Sequence, residues 1–265
     1  MFSIPLLKRE MKSNKMIFMI FIYILTIYTL SVVGLFNPKS VNAFDAIIKT
    51  MPGLMKAFGF VAGGTTLVGY IATDLFGMIM IMFPMIFSIV LANKLIARYV
   101  DRGSMAYLLA TPNKRVKIAL TQALCLWINI AILITYATVA IIIASALMHP
   151  GKLDIGKLIL MSIVVYFLHV AISGVCFFAS CISNDTKRSF TIGAGIPVLF
   201  YLIQMLANMG GNLANLKYFT ILSLFNTTDI IGGKSQVLPI IILILVAIVL
   251  YGSGIYIFSK RDLSV

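Results

Sequence analysis

Charge is scarce in this sequence. Only 11% of its 265 residues are Asp, Glu, Lys or Arg, where soluble domains carry about a quarter. Glu10 is the sole glutamate, so paired glutamates for acid/base chemistry are absent. The two histidines, His149 and His169, belong to no H-E-x-x-H metalloprotease pattern, and no G-x-S-x-G nucleophile elbow occurs. The three cysteines, Cys125, Cys176 and Cys181, all fall in apolar stretches without a C-x-x-C. That pattern argues against a disulfide framework or zinc site and suits small packing residues. Gly233-Lys234-Ser235 looks like the end of a phosphate loop, but the first glycine that motif needs is Thr228. The chain therefore reads as neither a hydrolase nor a nucleotide-binding protein, and it calls for no cofactor of its own.

What fills the space is apolar: 61% of residues are hydrophobic, which marks an integral membrane protein. A bilayer core of about 30 Å takes roughly 20 apolar residues per helix. Six segments qualify, at 16–35, 75–92, 118–147, 158–182, 190–209 and 237–258. The expected architecture is thus all-α, a single membrane domain over 1–265 with six transmembrane helices. No short apolar segment with a small-residue cleavage site precedes the first span, which reads as a retained anchor. Pro84 in the second span, and Gly193, Gly195 and Pro197 in the fifth, mark expected kinks.

Six spans put both termini on one side. The segments sharing the termini's side hold 14 Lys and Arg residues, including all six arginines, against 7 on the other side. The positive-inside rule makes that side the cytoplasm. The net charge of +13 then records cytoplasmic loops and lipid headgroup contacts, not a nucleic-acid partner. Lysine outnumbers arginine 15 to 6, which fits an AT-rich bacterial genome and a bacterial cell membrane.

Smaller elements follow from composition. "IPLLKREMKSNK" puts Ile4, Leu7 and Met11 on one helical face beside Lys8, Lys12 and Lys15, which predicts an interfacial helix over 3–15 that turns into the first span. "LKYFTILSLFNTTDIIGG" is too apolar for a solvated loop and predicts short outer re-entrant helices before the last span. Residues 44–60 suit an interfacial helix broken at Pro52-Gly53. Polar groups in or beside the spans are candidates for a substrate path: Asp74, Asn129, His169, Gln204 and Asn208. Each also has a plain reading. Asp74 suits a helix N-cap, His169 a neutral imidazole bonded to a neighbour, and the amides interhelical glue.

The segment 101–115, "DRGSMAYLLATPNKR", is the longest expected inside loop. The second span should continue as helix through Tyr99 and Val100, break at Gly103-Ser104, and restart as a short helix from Met105 to Ala110 that stops at Thr111-Pro112. Such a helix presents leucine and tyrosine beside Arg102, Lys114 and Arg115, suited to the membrane surface or to a groove on a partner. These residues resemble the permease subunits of ABC-2 type exporters, whose first cytoplasmic loop reads acid-x-Gly-Thr, apolar residues, Pro, then Arg. The counterparts are Asp101, Gly103, Ser104, Leu108, Leu109, Pro112 and Arg115. The ending "FSKRDLSV" is similar to the family's C-terminus through Phe258, Lys260, Arg261 and Asp262. Ser104 replaces the usual threonine, and Gln122 stands where a lysine often begins the third span.

The resemblance implies a permease half that pairs with a second permease subunit, identical or not, and with a cytoplasmic ATPase that holds the ATP and magnesium. It implies ATPase coupling through Asp101, Arg102, Gly103, Ser104, Tyr107, Leu108, Leu109, Pro112 and Arg115. A smaller second contact would come from Asp185, Lys187 and Arg188. The few charges in the spans point to a hydrophobic or amphipathic cargo, such as a peptide, an antimicrobial or a drug-like molecule. Sodium, lipid or glycan export is the alternative cargo, and an ATP-independent secondary transporter or a membrane enzyme the alternative class.

Overall fold

The computed structural model describes residues 2–37, 50–60, 66–109 and 114–261, and these are helical apart from short connections. Among these described residues, six helices are long and apolar enough to cross a membrane: Ile4–Leu35, Leu67–Asp101, Arg115–Met148, Ile155–Ile182, Thr186–Asn208 and Val237–Lys260. These six are the first to sixth spans. Three of them hold 32, 35 and 34 residues, or about 50 Å at 1.5 Å per residue. They therefore overrun a hydrocarbon core of about 30 Å.

The first span corrects one expectation. Ile4–Leu35 is a single unbroken helix with Pro5 in its first turn, so no turn separates a segment 3–15 from the span. Nothing between Leu6 and Val33 is a glycine or proline, so nothing in the sequence forces a break. Its buried stripe is also rotated from the expected one. Leu6, Glu10 and Asn14 are buried while Ile4 is exposed. The helix lies along the polar start of the third span, and Ser3 donates its backbone N–H to Thr121 Oγ1 at 3.0 Å.

The second span begins at Leu67, where Thr66 accepts from the Gly69 N–H at 3.2 Å. Asp74 is therefore not an N-cap; it lies inside the helix, in a π-helical stretch, Ala72–Ile79. Its carboxylate faces Tyr28 and Tyr70. The fourth and fifth spans are capped by Asp154, accepting from the Lys157 N–H at 3.1 Å, and Asp185, accepting from the Arg188 N–H at 2.6 Å. Before the sixth span lie short helical pieces, Gly211–Phe219, Ile221–Leu224 and Thr227–Ile231, and a short helix Pro52–Ala57 precedes the second.

The fourth span is the hub, packed against the sixth, fifth, second and third. Its most apolar window is 72% buried and that of the second span 67%, against 22% for the first, fifth and sixth. Those three therefore turn most of their surface outward. The hub also satisfies the backbone that the prolines disrupt. Pro84 has no N–H to return to the Met80 carbonyl four residues back, and His169 Nε2 meets that carbonyl at 2.8 Å. Pro197 likewise leaves the Gly193 carbonyl free, and the Cys176 S–H donates to it at 3.2 Å. An orphaned carbonyl in hydrocarbon costs several kcal/mol, so His169 and Cys176 stabilise both proline-bearing helices from one neighbour. Cys176 is thus a donor as well as a packing residue.

Further bonds tie the bundle: Thr138 to Ser162 at 2.7 Å, Ser173 to Tyr251 at 2.8 Å and Thr26 to Tyr136 at 2.7 Å. Each contributes about 1 kcal/mol or less.

Candidate functional site: the basic end and the opposite cleft

The helix ends that carry charge meet at one end of the bundle. Lys94 Nζ donates to the Ser13 carbonyl at 2.9 Å, Asn93 Nδ2 to the Thr186 carbonyl at 3.3 Å, and the Arg115 guanidinium to the Arg261 carbonyl. Both ends of the described chain lie here, together with 14 of the 21 lysines and arginines.

The second span does not stop cleanly at this end. Its regular helix breaks at Ile96, with φ −126° and ψ −64°, and resumes as Ala97–Asp101. Gly103 then reverses the chain at φ +66°. Among the described residues, no atom beyond its chain neighbours lies within 4 Å of where its side chain would begin, so it is the left-handed backbone that favours glycine here. Met105–Leu109 follows as one helical turn. Met105 is buried and Leu108 packs partly into the core, while Tyr107 is 81% exposed. The turn is thus anchored on one side and displays an aromatic ring on the other. Pro112, with Thr111, lies outside the described residues, as does Asp262.

The other expected coupling residues fall around this turn. The Thr186 hydroxyl donates to Asp101 Oδ2 at 2.7 Å, which joins the first loop to the segment 184–189. Lys187, Arg188 and Arg102 are exposed, and Ser104 Oγ reaches the Tyr99 carbonyl at 3.5 Å. Arg115 is turned to the Arg261 backbone. Arg261 in turn donates to the Cys181 and Ser183 carbonyls at 2.8 and 3.0 Å and closes the end of the fourth span. Burial lowers the Arg261 pKa from its usual guanidinium value, and nearby Cys181 acts in the opposite sense.

Glu10, to which sequence reasoning gave no role, belongs to this end. It is 1% exposed, and its carboxylate accepts the Tyr99 hydroxyl at 2.6 Å. The signal was there: Leu6, Glu10 and Asn14 repeat every four residues, one stripe of a helix.

The five substrate-path candidates separate. Asn129 sits at the basic end, with Nδ2 3.1 Å from Met11 Sδ and 2.7 Å from the Cys125 carbonyl. His169 is held on Met80, and Asp74 beside Tyr28 and Tyr70. Only Gln204 and Asn208 share a site. Gln204 Nε2 donates to Asn208 Oδ1 at 2.8 Å, and both line a cleft of about 250 Å³ at the opposite end, with Lys56, Phe76, Asn226 and Thr228. Gly59 and Gly77 close its wall: a side chain begun at Gly59 would start 3.0 Å from the Gly77 carbonyl oxygen. Lys234, of the rejected phosphate-loop motif, is instead paired to Asp229 Oδ1 at 2.6 Å.

Six apolar spans, an anchored turn at the basic end and a polar cleft at the other make this a multi-pass membrane protein. The sequence profile described as "ABC-2 family transporter protein" matches residues 7–263, and the chain belongs to that family. No curated protein sequence matches it. Members of the family are transport subunits without an ATPase domain of their own, and they generally pair with a separate ATPase subunit.

Proposed function

We propose that this chain is the permease half of a bacterial ABC exporter of hydrophobic or amphipathic cargo, working with a second permease subunit and a cytoplasmic ATPase. The observation that carries this is the turn Met105–Leu109: its inner side packs on the core while Tyr107 stands free. A contact seated on the core can pass force into the spans. A population shift from about 1:99 to 99:1 takes roughly 5.5 kcal/mol of differential binding, which a floppy loop could not transmit. The excess of basic residues supports a cytoplasmic position for this end. The cleft around Gln204 and Asn208 would then open outward, at the exit of the path.

The bond between Thr186 and Asp101 makes one unit of the two loops that would face the ATPase. Substituting Asp101→Ala should leave assembly intact but lower cargo transport per ATP hydrolysed by roughly threefold to tenfold. Asp101 is solvent-exposed, so the stability change should stay within about 1 kcal/mol. Transport and ATPase activity measured together in proteoliposomes test this. Unchanged coupling would remove the two-loop unit from the mechanism. Cargo-independent sodium flux in the same vesicles would replace the amphipathic cargo with an ion.

We read the short helices between the fifth and sixth spans as seated in the outer leaflet. Tyr218 and Phe219, 77% and 70% exposed, would meet lipid there. A cysteine at Tyr218 should react several-fold more slowly with a membrane-impermeant maleimide than one at the exposed Ser235, in the loop beyond these helices. Equal rates would place the segment in water.

A further inference from the structure

At the basic end, Lys94, Arg98 and Arg102 recur every four residues and form one stripe on the second span's extension. The stripe separates two adjoining clefts. One, of about 380 Å³, is walled by Glu10, Ser13, Tyr99 and Ser104. The other, of about 310 Å³, has an apolar wall of Ile17, Val90 and Phe190, with Asn93, Asp101 and Thr186 on its polar side. Both clefts are lined by all three cations.

Charge within the stripe is unevenly offset. Glu10 faces Lys94 and accepts from Tyr99, and Asp101 is engaged by Thr186. Among the described residues, no salt bridge reaches Arg98 or Arg102, and both are exposed. Two guanidiniums and an ammonium on one face repel one another unless an anion sits between them. Guanidiniums suit phosphate, which accepts their paired N–H groups.

We infer that this stripe binds the phosphate of an anionic phospholipid, with the acyl chains lying on Ile17, Val90 and Phe190 between the first, second and fifth spans. Continuity selects a lipid over a small anion. The cations and the apolar wall line one cleft, as a phosphate joined to hydrocarbon requires. The level also fits, since Lys12, Lys15 and Lys94 mark the same end of the bundle, where headgroups lie. Anionic headgroups attract basic side chains by about 1 kcal/mol each, so two arginines acting together give about 30-fold selectivity.

The test is native mass spectrometry of the purified permease released from nanodiscs of phosphatidylglycerol and phosphatidylcholine in equal parts. The expected result is retained phosphatidylglycerol, reduced at least tenfold in R98Q/R102Q and kept in R98K/R102K. The surface variant K8Q/K12Q should retain it. Equal retention of both lipids, or retention unchanged in R98Q/R102Q, overturns the proposal. Displacement by millimolar inorganic phosphate alone would show a site for the free anion and overturn the lipid assignment. If R98Q/R102Q keeps its lipid but loses the ATPase subunit, the stripe belongs to the protein partner instead. Loss of lipid in both the glutamine and the lysine variants would place the effect in the fold and not in charge, and would also overturn it.

Discussion

Replacing Tyr107 with alanine is expected to weaken association with the cognate ATPase subunit by about 30-fold or more, with little change in the stability of the permease itself. The size follows from interface energetics. A buried aromatic anchor at a protein contact is worth about 2 kcal/mol or more, and each 1.4 kcal/mol is tenfold in affinity. The specificity for Tyr107 comes from the structure. Its neighbours in the turn are turned inward, Met105 at 1% exposure and Leu108 partly buried against the core, while Tyr107 itself is 81% exposed. Leu108→Asp would therefore be a poor probe, because a carboxylate pressed against that core damages the fold as well as any contact. Tyr107→Ala removes only an outward ring. Titrating the purified ATPase against permease in nanodiscs measures the affinity, and thermal unfolding of the same sample monitors the fold. An unchanged affinity would take the turn Met105–Leu109 out of the interface. Lost affinity with a collapsed melting transition would assign Tyr107 to the fold instead.

The second large effect lies in the spans. Substituting His169→Leu should destabilise the permease by about 2–3 kcal/mol, because the buried Met80 carbonyl loses its donor. At 2–4 °C per kcal/mol, the melting midpoint should drop by roughly 5–10 °C. The stronger statement concerns coupling. Pro84 is what leaves that carbonyl free, so Pro84→Ala supplies a backbone N–H in place of the imidazole. In a double-mutant cycle, Pro84→Ala should recover at least half of the cost of His169→Leu. Additive costs would mean that the imidazole does not serve the proline-freed carbonyl. A substrate-path role for His169 predicts something else: lost transport in the repaired double variant, despite restored stability. Measuring both separates a structural histidine from a functional one.

Much of the plan was legible because it rests on one-dimensional physics. Runs of about 20 apolar residues can only be spans, so the six helices could be counted from composition, although their ends were set too short. The missed residues explain why. Thr66, Asp154 and Asp185 lie outside the apolar runs, and they cap helices through bonds that hydropathy does not register. Capping starts the second span eight residues early and puts Asp74 within it. The N-terminal helix was misread for a related reason. A basic, amphipathic segment resembles an interfacial helix, yet its polar stripe of Glu10 and Asn14 is buried inside the bundle. Hydrophobic periodicity alone cannot tell a membrane surface from the polar flank of another helix.

The candidate site divides along the same line. The glycine break and the apolar run after it announced a turn at 103–109. Which side chain of that turn faces outward depends on its rotation about the helix axis, and packing of Met105 and Leu108 sets it. His169, Cys176, Pro84 and Pro197 were each visible as single residues. That the fourth span's two donors meet the two proline-freed carbonyls depends on its central place in the bundle. The sequence by itself determined a six-span membrane protein with an uneven charge distribution, because hydrophobic length and net charge add up residue by residue. Tertiary structure alone decided which polar groups meet, since a hydrogen bond acts over about 3 Å, and only packing brings residues 89 positions apart to that distance.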